Sequence, residues 1–399
     1  MFYCPPRDIR VSIDVGCKHH QVAVGLSDGQ TLEEFSISHE PKGFAIFFKR
    51  LSELERKFQC PVRVAMEGYN GYARPLDAMI LARGWQLYNI NNLKLARFKE
   101  IFPGAAKTEL LDARKGLELF QLQEHLPVAK DVLQIVTEPP RENQILKRLS
   151  RRRKWLVNER VRVLNLLQSN LQAVCPSLLA ITPDAGSLWF LNFLTSTADL
   201  TKLARIRQKT VQKISAIGNK YTRIILCWQK QAQFSPEVEW VGEMIQQDAA
   251  RILELRHQIK DLEDKMAALI PQSDIACRIK SIPGFGLVST AELAGEIGHQ
   301  ERFIAEPSFA LYLGMAPLSH ESGQHKGSKT PRQVNRRAKA AMMVAVDRHR
   351  KQVSASQKYY EKKRAEGKTH NQAIRALGRQ LCRVIFKMNN EGKNFIAPK

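Results

Sequence analysis

The sequence predicts an α/β domain followed by a mainly helical remainder, and three observations carry that reading. Runs rich in valine and isoleucine alternate with helically spaced stretches over the first third of the chain. One long helix, roughly Glu142 to Val174, follows a linker from Pro127 that ends in Glu138-Pro139-Pro140. A seam of Ile252, Leu255, Ile259, Leu262, Met266 and Leu269 then advances in steps of three and four, as a coiled coil does. The expected organisation is an α/β domain over 1–135, a helical and coiled-coil region over 136–275, and a mainly helical C-terminal domain over 276–399.

The totals set the class of partner. Lys and Arg number 62 against 39 Asp and Glu in 399 residues, a formal charge of +23. An excess of that size calls for a polyanion, first of all nucleic acid. A membrane surface is the other polyanion, but no apolar run reaches the ~18 residues that span a bilayer. The first six residues lack a basic-then-apolar leader pattern. The expectation is a soluble, cytoplasmic protein with no membrane partner. The seven cysteines are scattered and form no C-x-x-C, so they read as reduced residues, neither disulfides nor zinc ligands. His19-His20 reads as part of a surface hairpin and not as a metal ligand pair.

Taken in order, the first strand is Ile9 to Gly16. Its apolar run closes on a carboxylate, Asp14, whose burial needs compensation such as a cation. Gln21 to Leu26 and Thr31 to Ile37 follow as strands, and Pro41 to Phe58 is a helix on the spacing of Phe44, Phe47, Phe48, Leu51 and Leu54. Val62 to Gly68 repeats the first motif: an apolar strand, an acid (Glu67), a glycine. Parallel neighbouring strands would bring Asp14 and Glu67 to one sheet end, where open α/β sheets keep their sites. A helix from Ala73 to Arg83, a strand from Trp85 to Ile90 and a helix from Asn92 to Ile101 complete the order β-β-β-α-β-α-β-α, that of a ribonuclease-H-like fold.

The next segment, Lys107 to Arg114, offers Thr108 as an N-cap and places Glu109 and Asp112 on one helix face, about 5–6 Å apart at Cβ. Acids in a first turn also complement the helix dipole, so the pair alone is uninformative. With Asp14 and Glu67 it makes four carboxylates from three elements, a set that stays ionised only beside cations. Two Mg²⁺ about 3.5–4 Å apart would satisfy it and would clamp a phosphodiester during displacement.

Together, Ile13-Asp14-Val15-Gly16, Met66-Glu67-Gly68 and Lys107-Thr108-Glu109-Leu110-Leu111-Asp112-Ala113 resemble the RuvC-type DEDD domain of the insertion-sequence one-ten transposase family. That family includes the Piv-type DNA invertases and the bridge-RNA-guided recombinases. The resemblance implies that Asp14, Glu67, Glu109 and Asp112 are metal ligands. The family usually carries Asp where this chain has Glu109, a departure of one methylene.

Beyond the linker, the long helix carries Leu149, Leu156, Val163, Leu164, Leu167 and Leu171 on its apolar side. Lys147, Arg148, Arg151, Arg152, Arg153, Lys154, Arg160 and Arg162 fill the other, nearly all of one sign, as a contact to an RNA or DNA backbone requires. Pro176 to Pro236 reads as a small helical unit without chemistry. The later seam could pair with the long helix or with a second chain, and the second option would make a homo-oligomer.

In the last third, Ser281 to Ala291 matches the helix-hairpin-helix pattern, with Gly284 and Gly286 letting the backbone approach a phosphate. A Gly-rich helix connection without a ligand is the plainer alternative. Ser322-Gly323 lies in a polar loop, and residue chemistry alone does not single it out. The run Tyr312-Leu313-Gly314-Met315-Ala316-Pro317, then Ser322-Gly323, then Asn335-Arg336-Arg337, resembles the C-terminal transposase domain of the same family, which implies that Ser322 is a nucleophile. Helices from Arg332 to Lys351 and Asn371 to Met388, with Tyr359-Tyr360 and Lys362-Lys363-Arg364 between them, extend the basic surface.

The resemblance covers nearly the whole chain. It implies a DNA transposase or recombinase of a bacterial or archaeal mobile element, nucleoid-associated, in which Ser322 forms a phosphoserine link and the acids hold Mg²⁺. It also implies a dimer or tetramer and, for some members, a structured guide RNA. Two other readings stay open: a RuvC-like structure-selective nuclease that uses water and leaves Ser322 idle, and a decayed, non-catalytic nucleic-acid-binding protein.

Overall fold

The computed structural model describes residues 7–68, 71–100, 109–125, 132–322, 325–329, 331 and 334–396; at 93, 109, 124, 319–322, 325, 326, 328 and 329 it describes the backbone alone. The chain divides into two compact units, Met1–Glu138 and Pro139–Lys399.

The first unit contains β1 (Ile9–Val15), β2 (His19–Leu26), β3 (Thr31–Ser38), α1 (Pro41–Phe58), β4 (Val62–Glu67), α2 (Arg74–Ala82), β5 (Gln86–Ile90), α3 (Asn92–Lys99), α4 (Glu109–Gln121) and β6 (Leu133–Ile135). Its six strands lie in the order β3-β2-β1-β4-β5-β6. β1, β4 and β5 run parallel, while β2, β3 and β6 are antiparallel to their neighbours. β6 falls in the stretch taken from sequence as a linker; three residues are too few to leave a periodic signal.

The two faces of the sheet differ in chemistry because successive side chains point to opposite sides. Ile9, Val11 and Ile13 of β1 and Val62, Val64 and Met66 of β4 bury against Phe44, Phe47, Phe48 and Leu51 of α1 and Leu76 and Ile80 of α2. The other face carries α4, and there β1 presents Arg10, Ser12 and Asp14. Ala23, Ala113 and Leu117 pack together on that side. His20, expected at the surface, is fully buried: its Nε2 lies 2.8 Å from His39 Nδ1 and its ring stacks on Phe44. Burial, with His39 next, lowers its pKa to about 4, so it stays neutral near pH 7.

The second unit contains α5 (Arg141–Val174), α6 (Pro176–Leu179), α7 (Leu188–Leu194), α8 (Gln208–Val211), α9 (Asn219–Gln229), α10 (Val238–Leu269), α11 (Asp274–Lys280), α12 (Leu287–Ile297), α13 (Glu306–Tyr312), β7 (Leu318–Ser322), β8 (His325–Lys329), α14 (Arg336–Gln352), α15 (Ser354–Ala365) and α16 (His370–Glu391). α5 and α10 form its spine. Leu156 packs on Leu255 and Ile259. Arg153 Nε reaches Glu263 at 2.7 Å, and Arg251 Nε reaches Glu159 at 3.0 Å. Partners later in α5 meet residues earlier in α10, so the pair is antiparallel. The coiled-coil seam therefore packs against the long helix of the same chain.

Each end of the spine has its own core. Leu167, Leu171 and Val174 join Ile245, Ala249, Ile252, Phe190, Phe193 and Trp228 at one end. Leu146, Met266 and Ile270 join Ile279, Phe285, Leu293, Phe309, Met342, Ile374 and Leu381 at the other. Among the described residues, no helix is long and apolar enough to cross a membrane. The described cysteines, Cys17, Cys60, Cys175, Cys227, Cys277 and Cys382, are free.

Glu296, on α12, ties this second core together. It is 1% exposed and accepts from Arg151 Nε at 2.7 Å and Nη2 at 3.0 Å. Asn335 Nδ2 donates to its Oε2 at 2.8 Å, while Asn335 Oδ1 caps α14 through the amides of Arg337 and Ala338. Tyr312 Oη donates to the Glu296 carbonyl at 2.7 Å. Burial opposes ionisation of Glu296, but the hydrogen bonds from Arg151 and Asn335 outweigh it and hold the carboxyl below the ordinary glutamate range. Arg151 and Asn335, both expected on a nucleic-acid surface or motif, thus also serve the core.

The turn between α11 and α12 joins two helices, as the pattern predicts, and lies against α14. Gly284 has φ +86°, and a Cβ on it would lie 2.4 Å from the His349 amide nitrogen of α14. The glycine admits the backbone of the protein's own helix. His349 Nδ1 lies 2.7 Å from the Pro283 carbonyl, which can only accept, so Nδ1 carries the proton and Nε2 accepts from Ser356 Oγ at 3.0 Å. The segment around Ser322, expected as a loop, is a two-stranded antiparallel ribbon in which Leu318 pairs with Lys329 and Ser322 with His325.

Two outcomes are expected. A carboxyl with a depressed folded pKa stabilises fully above its unfolded value of 4.5, and that stability is lost as pH falls through the folded pKa. Urea unfolding of the second unit should therefore weaken below about pH 4.5, and Glu296→Gln should flatten part of that dependence; an unchanged profile would contradict the role given to Glu296. In the first unit, a Cβ on Gly116 would stand 2.3 Å from Ser12 Oγ but 3.5 Å from Ser12 Cβ. Gly116→Ala should cost about 1–3 kcal/mol in urea unfolding. In a Ser12→Ala background the same change should become neutral or stabilising by up to ~1 kcal/mol through helix propensity.

Candidate functional site

Three contacts fix how α4 lies on β1. Arg10 Nη1 donates to the carbonyls of Phe120 and Gln121 at 2.6 and 3.1 Å, so the first residues of β1 meet the last turn of α4. Gly116 lies against Ser12. Four helical residues rise about 6 Å and two strand residues about 6.6 Å. The next step along both elements carries Asp112 over Asp14. Arg114 adds a lateral tie, with Nε and Nη2 on the Glu34 carboxylate of β3 at 2.6 and 2.8 Å.

Arg10 is itself buried, so its charge needs partners. Asp8 supplies one at 3.0 Å, and the other Asp8 oxygen lies 2.8 Å from Arg63 Nη1. The guanidinium also sits 5.3 Å from the centre of the Phe120 ring. A cation on the carbonyl end of a helix is favoured by the dipole.

Glu67 arrives from the neighbouring strand. Ile9 to Ile13 pair in parallel register with Val62 to Met66, so Asp14 and Glu67 are the next residues on each strand. Ala65, two residues before Glu67, packs with Leu95, Leu119 and Phe120 on the α4 side, which places Glu67 on that side too. The expected convergence of these two acids at one sheet end is what the register gives.

One ammonium joins the acids from different elements. Lys99 Nζ lies 3.1 Å from Asp112 Oδ1 and 3.7 Å from Glu67 Oε1, with all three side chains about a fifth exposed. Lys99 ends α3, which starts directly after β5 and buries Leu95 one turn earlier. The sequence reading missed Lys99. A signal was present: a lysine at i+4 from a buried leucine, on a helix that leaves the same sheet end.

Glu109 opens α4 one turn before Asp112, and only its backbone is described. Thr108, the expected N-cap, lies outside the described residues. Among the described residues, no three metal-ligating side chains converge closely enough to hold an ion. The donor chemistry at Asp14, Glu67 and Asp112 is nonetheless all carboxylate oxygen, the set that Mg²⁺ prefers. Ser322 ends β7 in the second unit, with its backbone alone described, and Gly323 lies outside the described residues.

The basic face of α5 is partly engaged by the fold. Arg151 and Arg153 pair with Glu296 and Glu263. Arg152 lies 4.5 Å from the centre of the exposed Trp155 ring, and Lys154 and Arg162 are exposed. An exposed indole beside guanidinium groups suits base stacking and phosphate contact.

Comparison with known proteins accounts for both halves of this arrangement. Residues 11–176, which include Asp14, Glu67, Glu109 and Asp112, match the model described as the DEDD transposase of IS110. Residues 276–361, which include Ser322, match the model of the transposase IS116/IS110/IS902 family. The insertion element IS116 uncharacterized 44.8 kDa protein of Streptomyces clavuligerus is 24% identical over 97% of this chain and 96% of its own length. The insertion element IS110 uncharacterized 43.6 kDa protein of Streptomyces coelicolor is 25% identical over 98% and 96%. The pilin gene-inverting protein of Moraxella bovis is 29% identical over 36% of this chain and 45% of its own. With its acids in the first matched segment and its serine in the second, the chain belongs to the IS110/IS116 family of transposases.

Proposed function

We propose that this enzyme, a DNA transposase or recombinase, cleaves and exchanges strands through Ser322, with a divalent cation held by a RuvC-like acidic site. The observation that carries the proposal is the placement of Asp14, Glu67 and Asp112 at one end of a 3-2-1-4-5 run of strands, by strand register and by the seating of α4. The strand order and the two antiparallel leading strands support the ribonuclease-H-type reading.

Asp14, Glu67 and Asp112 would hold Mg²⁺, with Glu109 one turn further along the same face of α4. When bound, the ion would polarise the scissile phosphate and lower the pKa of an oxygen nucleophile. The remaining work falls to the chain. Ser322 Oγ forms a bond to phosphorus while the bond from phosphorus to a deoxyribose oxygen breaks. The serine proton passes to a base, and the departing oxygen takes up a proton. The result is a phosphoserine link that a second DNA end can resolve by the reverse attack. Serine and acids lie far apart in sequence, so strand exchange requires that folding or assembly of several copies bring them together.

The surplus of 23 positive charges and the Arg152–Trp155 face support a nucleic-acid partner beyond the cleaved duplex, including a structured RNA. A RuvC-like nuclease is the second reading, favoured by the same acids if Ser322 has no part.

Excision of the native element in cells, read by amplification across the circular junction, tests the proposal. Asp14→Ala and Ser322→Ala should each reduce junctions by roughly 10³-fold or more, the scale of losing a nucleophile or the group that activates it. Purified wild type should form a denaturant-stable adduct with DNA that Ser322→Ala lacks. Junctions that persist in Ser322→Ala would reject the serine mechanism in favour of the nuclease.

A further inference from the structure

We propose that Lys99 is the resident counter-ion of the acidic site, and that a divalent cation enters as Lys99 transfers to a nucleic-acid phosphate. This rests on the metal-holding role of Asp14, Glu67 and Asp112 proposed above.

The geometry is specific. Lys99 Nζ stands within salt-bridge distance of two carboxylates that come from different elements, Glu67 at the end of β4 and Asp112 in the first turn of α4. Without a cation these acids, with Asp14 beside Glu67, would repel each other. The ammonium supplies one positive charge and three donors between Glu67 and Asp112.

Mg²⁺ would need the same oxygens at about 2.0–2.1 Å. An ammonium that already sits 3.1 and 3.7 Å from two of them leaves no room for a second, doubly charged cation without strong repulsion. The two cations are therefore competitors. Lys99 can yield its place without unfolding anything. It is the last residue of α3, which is held from its N-terminal end by the Asn91 cap and by buried Leu95. Its four-carbon stem lets the head swing while the helix stays in place.

A phosphate is the chemistry that would draw it away, because a lysine binds phosphate as a mobile point charge. A DNA backbone laid across the acids would give Lys99 a new anionic partner and expose the carboxylates to the divalent ion. Metal and DNA then bind with positive coupling, and by linkage each raises the affinity of the other by the same factor. The site is weak for metal until substrate arrives, which restrains metal-dependent cleavage in its absence.

The test is Mn²⁺ binding to full-length protein, read by electron paramagnetic resonance of the free ion, without and with a short random-sequence DNA duplex, after subtraction of a DNA blank. Lys99→Met and Lys99→Gln should bind Mn²⁺ at least ~10-fold more tightly than wild type without DNA, a shift of the size that one tenfold step in affinity represents. DNA should tighten binding by wild type and leave the variants nearly unchanged. Circular dichroism and urea midpoints check that both variants fold. Asp14→Asn should abolish binding in every background. Equal affinities in wild type and variants would overturn the counter-ion role while leaving the metal site standing. A DNA-insensitive wild type would overturn the exchange with phosphate. No Mn²⁺ binding by any protein would overturn the proposal together with the metal site beneath it.

Discussion

A buried arginine at the start of β1 grips the last turn of α4, and the positions of the acids follow from that grip. Arg10 reaches two carbonyls at the helix end, and Asp8 neutralises it from behind. Because the helix end is tied there, and because Gly116 seats the helix on Ser12, Asp112 falls over Asp14. The register is carried from Arg10 to the acids along some 13 Å of strand, by the approximate match of four helical residues to two extended ones. Truncating Arg10 would leave buried Asp8 with Arg63 alone and the carbonyls of α4 without this donor, so the same side chain serves stability and site geometry.

The second unit solves a different problem with the same means. Two antiparallel helices, α5 and α10, run between two separate cores, and one buried residue, Glu296, gathers α5 and the cap of α14 with its carboxylate and α13 with its backbone carbonyl. The arrangement explains why a helix face that reads as uniformly basic is only partly free for nucleic acid. Arg151 belongs to Glu296 and Arg153 to Glu263, while Arg152 lies against the exposed Trp155 and Lys154 and Arg162 are exposed.

Much of the first unit was legible in the sequence. Asp14 and Glu67 each close an apolar run before a glycine, and α1 was delimited to the residue by its phenylalanine spacing and by Pro41. The legible features are local: period, closing acid, breaker. What escaped depends on residues far apart. Arg10 sits inside an apolar strand, and besides nearby Asp8 its partners are the distant carbonyls of Phe120 and Gln121. The Gly284 turn follows a local pattern, but the backbone it packs on, at His349, lies 65 residues on. The seam of α10 was plain, yet its partner could only be chosen once α5 was seen to lie antiparallel to it. Ser322 stood out through family resemblance alone, because a serine in a short polar ribbon has no local signature.

Replacement of Mg²⁺ by Fe²⁺, followed by ascorbate and peroxide, cuts a protein backbone beside the bound iron and so reads out which segments share a metal. Cleavage of the DNA-bound protein is expected at three segments together, around Asp14, Glu67 and Asp112. Excess Mg²⁺ should suppress all three cuts in parallel, and Asp14→Asn should remove them. Cuts at only one of these segments, or at places remote from all three, would contradict the claim that α4 delivers its acid to the ends of β1 and β4.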